Sequence, residues 1–298
     1  VSHPKPLDWL VLAALVVAWG SAFGALKIAV HDISPVWNTV IRLWVASATL
    51  AVVCLATRTS LPPLLPRPHP AWGFYLFIGT IGLALPFFLF AYAAKGIPSA
   101  VNAICNGASP VFTTALAIAV LRDEPLGPRR VAGVLVGFLG LVVLVAPRLA
   151  QGMGLEALAL ISALVGAACY AAANVVTRKA PQVPSSAGAL MMCLTGAVAA
   201  TAAAALFEPP MTAWPSSPSI AAVIALGVFT TALAGIGYVF LVQRQGPVFM
   251  SMAIYLAPLW AMALGVLLMG ERPGWQAYAA LGLILAGVAL ATTTARRA

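Results

Sequence analysis

The stretch 98–121 carries Ser99, Asn102, Asn106, Ser109 and Thr113 in an otherwise apolar run. Spacings of three and four place all five on one face of a helix. Amides and hydroxyls arranged this way bind by hydrogen bonding. They are not nucleophiles, because no histidine lies nearby to act as base for Ser109. Related positions recur along the chain: Tyr75, Gly79, Gly82 and Pro86; Tyr170, Asn174 and Thr177; Thr231, Gly235 and Tyr238; and Ser251, Tyr255, Pro258 and Met262. Trp19 and Phe23 add aromatic faces near the start of the chain. Together these residues outline a polar and aromatic lumen. Two readings stand for the amides: they line a wet cavity, or they hydrogen-bond between helices as glue.

Four residues in this set bend or open a helix rather than bind. Pro110 and Pro258 each remove a backbone donor in the middle of an apolar run, and Pro86 is matched by Gly235 in the same way. Arg42 is the exceptional charge. It lies inside a long apolar segment and shares a helical face with Asn38 and Thr49, so it anchors, snorkels or lines an aqueous path. The expectation is a structural charge.

The elements that must position these residues follow from composition. Of 298 residues, 62% are hydrophobic and only 8% charged, with a mean hydropathy of +1.01. Soluble domains run near a quarter charged, and so apolar an exterior suits lipid. Uncharged runs near the length needed to cross a bilayer recur along the chain. They predict ten membrane-spanning helices at roughly 8–28, 36–57, 71–94, 98–121, 128–147, 155–177, 187–207, 219–243, 247–269 and 275–295. The first is read as a retained helix, since Trp19 and Phe23 stand where a cleavage site needs small residues. With the N-terminus cytoplasmic, eleven basic residues fall inside (Lys5, Arg58, Arg67, Arg122, Arg129, Arg130, Arg178, Lys179, Arg244, Arg296 and Arg297). Four fall outside: Lys27, Lys95, Arg148 and Arg272. That asymmetry places both termini in the cytoplasm. It also accounts for the net charge of +9 without invoking nucleic acid.

The four cysteines fall in four different spans and read as small apolar residues. All seven acids lie at span ends or in loops, and His3, His31 and His69 lie outside the spans. No cofactor, metal site or catalytic residue is expected, and the chain does not read as an enzyme. The expected partners are a small-molecule substrate and membrane lipid. Gly20-xxx-Gly24 and Gly133-xxx-Gly137 allow close helix approach. Packing within one chain suffices for them, so a monomer or weak dimer is expected.

An internal repeat organises the whole. Trp19 to Lys27 aligns with Tyr170 to Arg178, Pro110 with Pro258, Glu124 with Glu271, and Gly133 and Gly140 with Ala280 and Gly287. The chain divides into 1–150 and 151–298, each of five spans. Five is odd, so the second half enters from the opposite side. Two such halves can exchange conformations, with substrate bound where they meet near the midplane.

The same residues resemble a known family. Trp19-Gly-Ser-Ala-Phe23 followed by Lys27, Arg42 in the second span, Pro110 through Glu124, and Pro258-Leu259 through Gly270-Glu271 are similar to the signatures of the drug/metabolite transporter superfamily, as two EamA-type units. Within it, the aromatic-rich helices look most similar to amino-acid exporters of the YddG type. In the first repeat Arg122-Asp123-Glu124 stands where the family motif has Gly-Glu. The resemblance implies an inner-membrane exporter of amino acids or similar small neutral or zwitterionic metabolites. Nucleosides or amphipathic drugs are the alternative cargo, and a membrane scaffold without transport the alternative of another class. The expected substrate-binding residues are Trp19, Asn102, Asn106, Tyr170, Asn174, Tyr238, Ser251 and Tyr255.

Overall fold

A computed structural model describes residues 4–64, 67–120, 128–150, 154–177 and 180–292. Among these the secondary structure is helical throughout, with no strand. In chain order the helices are α1 (Pro6–Ala29), α2 (Pro35–Ala56), α3 (Ala71–Gly79), α4 (Leu85–Gly96), α5 (Ser99–Gly107), α6 (Ser109–Val120), α7 (Pro128–Leu149), α8 (Leu155–Thr177), α9 (Ser185–Phe207), α10 (Ser217–Ala225), α11 (Ala234–Leu267) and α12 (Trp275–Thr292). Two π-helical stretches, Thr80–Ala84 and Leu226–Leu233, join α3 to α4 and α10 to α11. Among the described residues six continuous segments are long and apolar enough to cross a membrane: Pro6–Ala29, Pro35–Ala56, Ala71–Gly96, Leu155–Thr177, Ser185–Phe207 and Ser217–Gly246. Shorter apolar stretches accompany them at Val131–Pro147, Met252–Leu267 and Trp275–Leu290. Large apolar side chains such as Leu55, Phe207 and Leu267 point outward, as lipid contact permits.

Local sequence sets the breaks. Gly246 adopts φ 83°, a left-handed conformation that only glycine takes without strain, and it turns the chain inside α11. Pro86 cannot donate a backbone hydrogen bond, and the π-helical turn immediately before it accommodates the ring. At Pro110 the helix is interrupted between Gly107 and Ser109. Pro110 has no N–H to offer the Asn106 carbonyl four residues back, and the Ser109 hydroxyl donates to that carbonyl instead, at 2.7 Å. Pro258 behaves differently. It sits within α11 without interrupting it, and its ring lies 3.1 Å from where a Cβ on Gly107 would stand. A glycine space is thus filled by a proline ring, and of the three expected proline hinges Pro86 and Pro110 sit at irregular backbone while Pro258 does not.

The bundle is held by helix pairs with small residues at their crossings. The chief pairs are α7 with α12, α1 with α11, α2 with α9, α4 with α8, and α5 with α11. A Cβ on Gly20 would stand 2.6 Å from the Trp260 ring and 2.7 Å from the Ala257 carbonyl. On α12, a Cβ on Gly287 would meet the Gly133 carbonyl and the Gly137 nitrogen at 2.5 Å each. The Gly133-xxx-Gly137 pair is therefore consumed inside the chain. In lipid, where burial of apolar surface drives little, such close backbone approach supplies the packing energy.

Gly287→Leu should destabilise the protein by about 1–3 kcal/mol, the usual penalty of overpacking, because backbone on α7 cannot give way. Gly282→Leu on the same helix meets open space and should leave the melting temperature in detergent unchanged. Equal effects of the two substitutions would show that the α7–α12 crossing is not the determinant described here.

Candidate functional site

The site is built around a charge. α2 carries Arg42 about two turns inside the helix, and only 8% of the residue is exposed. Its Nε donates to Thr231 Oγ1 at 3.0 Å and an Nη donates to Thr230 Oγ1 at 3.2 Å. Both threonines lie in the second π-helical stretch. Their own hydroxyl protons go to the Leu226 carbonyl, at 2.8 Å and 2.9 Å. This leaves lone pairs free to face the guanidinium. Its flat face rests on Phe87, 3.6 Å from the ring centroid. Phe87 follows Pro86, at the exit of the first π-helical stretch. The second irregular turn thus supplies one side of the arginine's seat, and the start of α4, just past the first, supplies the other. Among the described residues no carboxylate stands within 4 Å of it.

Aromatic residues extend the region. Phe90, one turn beyond Phe87, stacks on Tyr170 of α8 at 5.7 Å, and Phe23 of α1 meets Phe90 edge-on at 5.9 Å. Trp19 and Tyr238 approach each other at 6.2 Å, joining α1 to α11. Tyr255 is half-buried against the same core cluster as Tyr170. Asn174 is exposed, and its amide lies 3.5 Å from Thr113 Oγ1, a weak contact at most. Asn106 is half-buried beside the α5–α6 break. Gly235 is also partly open, with nothing within 4 Å of a notional side chain.

Asn102 makes one helix-to-helix bond and leaves its Oδ1 without a partner. It is fully buried, and its Nδ2 donates to the Phe90 carbonyl at 2.9 Å. In this conformation it ties α5 to α4, the glue reading of an intramembrane amide. The side chain of Ser251 lies outside the described residues, as does Glu124. Arg42 was expected from its position. The parts of its seat that sequence reasoning missed are Thr230 and Phe87. The signal available was a Thr-Thr pair inside an apolar run, in the segment related to the one bearing Pro86.

Polar clusters close both ends of the bundle. At one end Glu271 accepts from the Ser99 N–H at 2.7 Å, the Ser99 hydroxyl at 3.0 Å, the Ala100 N–H at 3.2 Å and Lys27 Nζ at 3.1 Å. Burial alone would raise its pKa. The N–H groups at the start of α5 and the Lys27 ammonium outweigh that and hold it below the usual carboxylate value. Asp32 works similarly for α10. The Ser216 hydroxyl foremost, then His31 and Ser219, hold its carboxyl well below the usual range. At the opposite end Asp8, fully buried, accepts from Arg244 Nε and Gln245 Nε2 at 2.8 Å each. The Asp8 cluster ties α1 to α11, the Glu271 cluster ties the segment after α11 to α1 and α5, and Asp32 ties the end of α1 to α10, so opening either end means breaking charge-assisted bonds.

If the half-buried polar positions face an aqueous path, cysteine at Asn106 in a cysteine-free background should react with a small water-soluble thiol reagent, and substrate should slow the reaction. Labelling confined to membrane-soluble reagents would place this face against lipid.

Comparison with known proteins gives this arrangement its context. The model of the EamA-like transporter family matches residues 7–146 and again 157–293. The chain is 28% identical to the uncharacterized inner membrane transporter YedA of Escherichia coli K12, over 94% of its own length and 89% of that protein. It is 31% identical to the aromatic amino acid exporter YddG of Ancylobacter novellus, over 78% and 79% of the respective lengths. A solved crystal structure shares the fold with a TM-score of 0.68 at 24% identity, covering 99% of this chain and all of the other. The chain belongs to the EamA-like transporter family and is a multi-pass membrane transporter of that type.

Proposed function

From this membership we propose that the chain exports amino acids, or similar small zwitterionic metabolites, across an inner membrane by alternating access. It does so through ten spans in two inverted five-helix halves, with both termini cytoplasmic. The observation that carries the proposal is the recurrence of one irregularity. The π-helical stretches Thr80–Ala84 and Leu226–Leu233 fall in the segments that the sequence repeat pairs, each running up to the paired Pro86 and Gly235. Helical irregularities at matched positions of two halves are where transporters of this general design bind and bend. The packing is consistent with it: α2 with α9 and α7 with α12 join elements to their own counterparts, while α8 on α4 corresponds to α1 on α11. The two family matches, one in each half, support the same division. The similarity to an aromatic amino acid exporter favours amino acids over nucleosides, and the aromatic faces of Trp19, Phe90, Tyr170 and Tyr238 suit an apolar or aromatic side chain. Reconstitution with a panel of radiolabelled amino acids and nucleosides tests the cargo directly.

The energetics follow from the placement of acids. Proton coupling in a membrane generally uses an Asp, Glu or His facing the transport path. Here Asp8, Asp32, Glu156, Glu208 and Glu271 lie at helix starts, at helix ends or in connecting segments, and sequence places Asp123 and Glu124 in a loop. Arg42 cannot substitute, because a guanidinium keeps its proton at accessible pH. The transporter is therefore a facilitator that moves substrate down its own gradient. Flux in proteoliposomes should change less than about twofold when a pH gradient is imposed. Accumulation against the substrate gradient, collapsed by a protonophore, would overturn this part of the proposal.

A further inference from the structure

The seat of Arg42 is incomplete as a purely structural feature. A guanidinium carries five N–H donors in a fixed fork. Two meet threonine hydroxyls, one face meets Phe87, and no anion neutralises the charge among the described residues. Buried intramembrane cations ordinarily pair with an acid or with backbone carbonyls, because an unpaired charge in low dielectric is costly. The same face of α2 holds a second unsatisfied group. Asn38, one helical turn away, is fully buried, and neither its Oδ1 nor its Nδ2 has a partner. Buried amides without partners are rare, since each unmade hydrogen bond carries a desolvation penalty. A cation lacking an anion and an amide lacking both partners therefore stand side by side, next to the two irregular turns.

We propose that Arg42 and Asn38 form the carboxylate-binding end of the substrate site, so that the transported class is defined by a free monocarboxylate. The inference rests on the amino-acid reading above and sharpens it. The guanidinium fork receives the two carboxylate oxygens, the geometry for which it is suited. Asn38 donates Nδ2 to one of those oxygens and offers Oδ1 to the neighbouring ammonium. The face of Phe87 fixes the plane of the fork. Threonine hydroxyls already committed to Leu226 hold Arg42 without neutralising it, which keeps its charge available to a ligand. Esters, amides and amines with the same side chain lack the anion that this end requires.

The test uses the full-length protein in nanodiscs at pH 6, with L-phenylalanine and L-phenylalaninamide as probes. Both carry the ammonium and differ only at the carboxyl. The wild-type protein should bind the acid at least about tenfold more tightly, as a charge-assisted bidentate contact warrants. Arg42→Gln should reduce that preference to near unity, with amide affinity changing less than about threefold, and Asn38→Ala should lower it partly. If Arg42 were only structural, acid and amide affinity would fall together, and the inference would be overturned. Should Arg42→Gln fail to yield folded protein, Arg42→Lys retains the charge without the fork and should lower the preference several-fold. The wild-type ratio also decides by itself, since equal binding of acid and amide overturns the inference while leaving the amino-acid reading intact. A wild-type protein that neither binds nor transports any amino acid overturns that reading, and the carboxylate site with it.

Discussion

A positive charge held inside an apolar bundle, with no counter-charge against it among the described residues, is the constraint around which this molecule is arranged. Arg42 cannot lose its proton and lies about two turns inside a helix long enough to cross the membrane. The surrounding chain must therefore solvate it. Ordinary α-helices have little to offer, because their backbone groups are already paired. The π-helical stretch at Leu226–Leu233 changes this. Thr230 and Thr231 bond back to the single Leu226 carbonyl and turn their remaining lone pairs toward the guanidinium. On the other side, the turn ahead of Pro86 leads directly into Phe87, whose ring covers the flat face of the cation. Irregular backbone, which lipid would penalise, is tolerated because it faces a charge and neighbouring helices.

The rest of the bundle serves to keep these irregular segments in place while leaving the ends able to part. The glycine-lined crossing of α7 and α12 is rigid and backbone-to-backbone. The bonds from Asn102 to the Phe90 carbonyl and from Ser162 to the Leu89 carbonyl fix α4, which carries the aromatic faces. The end clusters at Asp8 and Glu271, by contrast, are made of ion pairs and hydrogen bonds that water can replace. Tightly packed helix pairs together with exchangeable polar contacts at the ends suit a protein that opens at one end at a time.

Much of this was legible in the sequence, for physical reasons. Long uncharged runs announce helices in lipid, so α1, α2, α8 and α9 coincide closely with the predicted spans. Pro86 and Gly235 marked the irregular segments, and Arg42 stood out because charge is rare at such depth. The remainder depended on three-dimensional pairing. Whether Asn102 lines a cavity or ties helices depends on what faces it, and a carbonyl of Phe90 twelve residues away does. The difference between Pro110 and Pro258 was likewise invisible. Pro258 finds room against Gly107, while the break at Pro110 is eased by a serine that takes over its lost hydrogen bond. The buried clusters at Asp8 and Glu271 join residues more than two hundred positions apart, a distance over which spacing carries no information.

The central claim is that a saturable site is exposed alternately to the two sides of the membrane. Counterflow tests it most directly. Proteoliposomes preloaded with unlabelled amino acid and diluted into a trace of the labelled form should show a transient accumulation of label above its equilibrium level, because outward-moving carriers return loaded. Uptake that rises linearly with concentration, without overshoot and unaffected by preloading, would describe a pore and contradict the account.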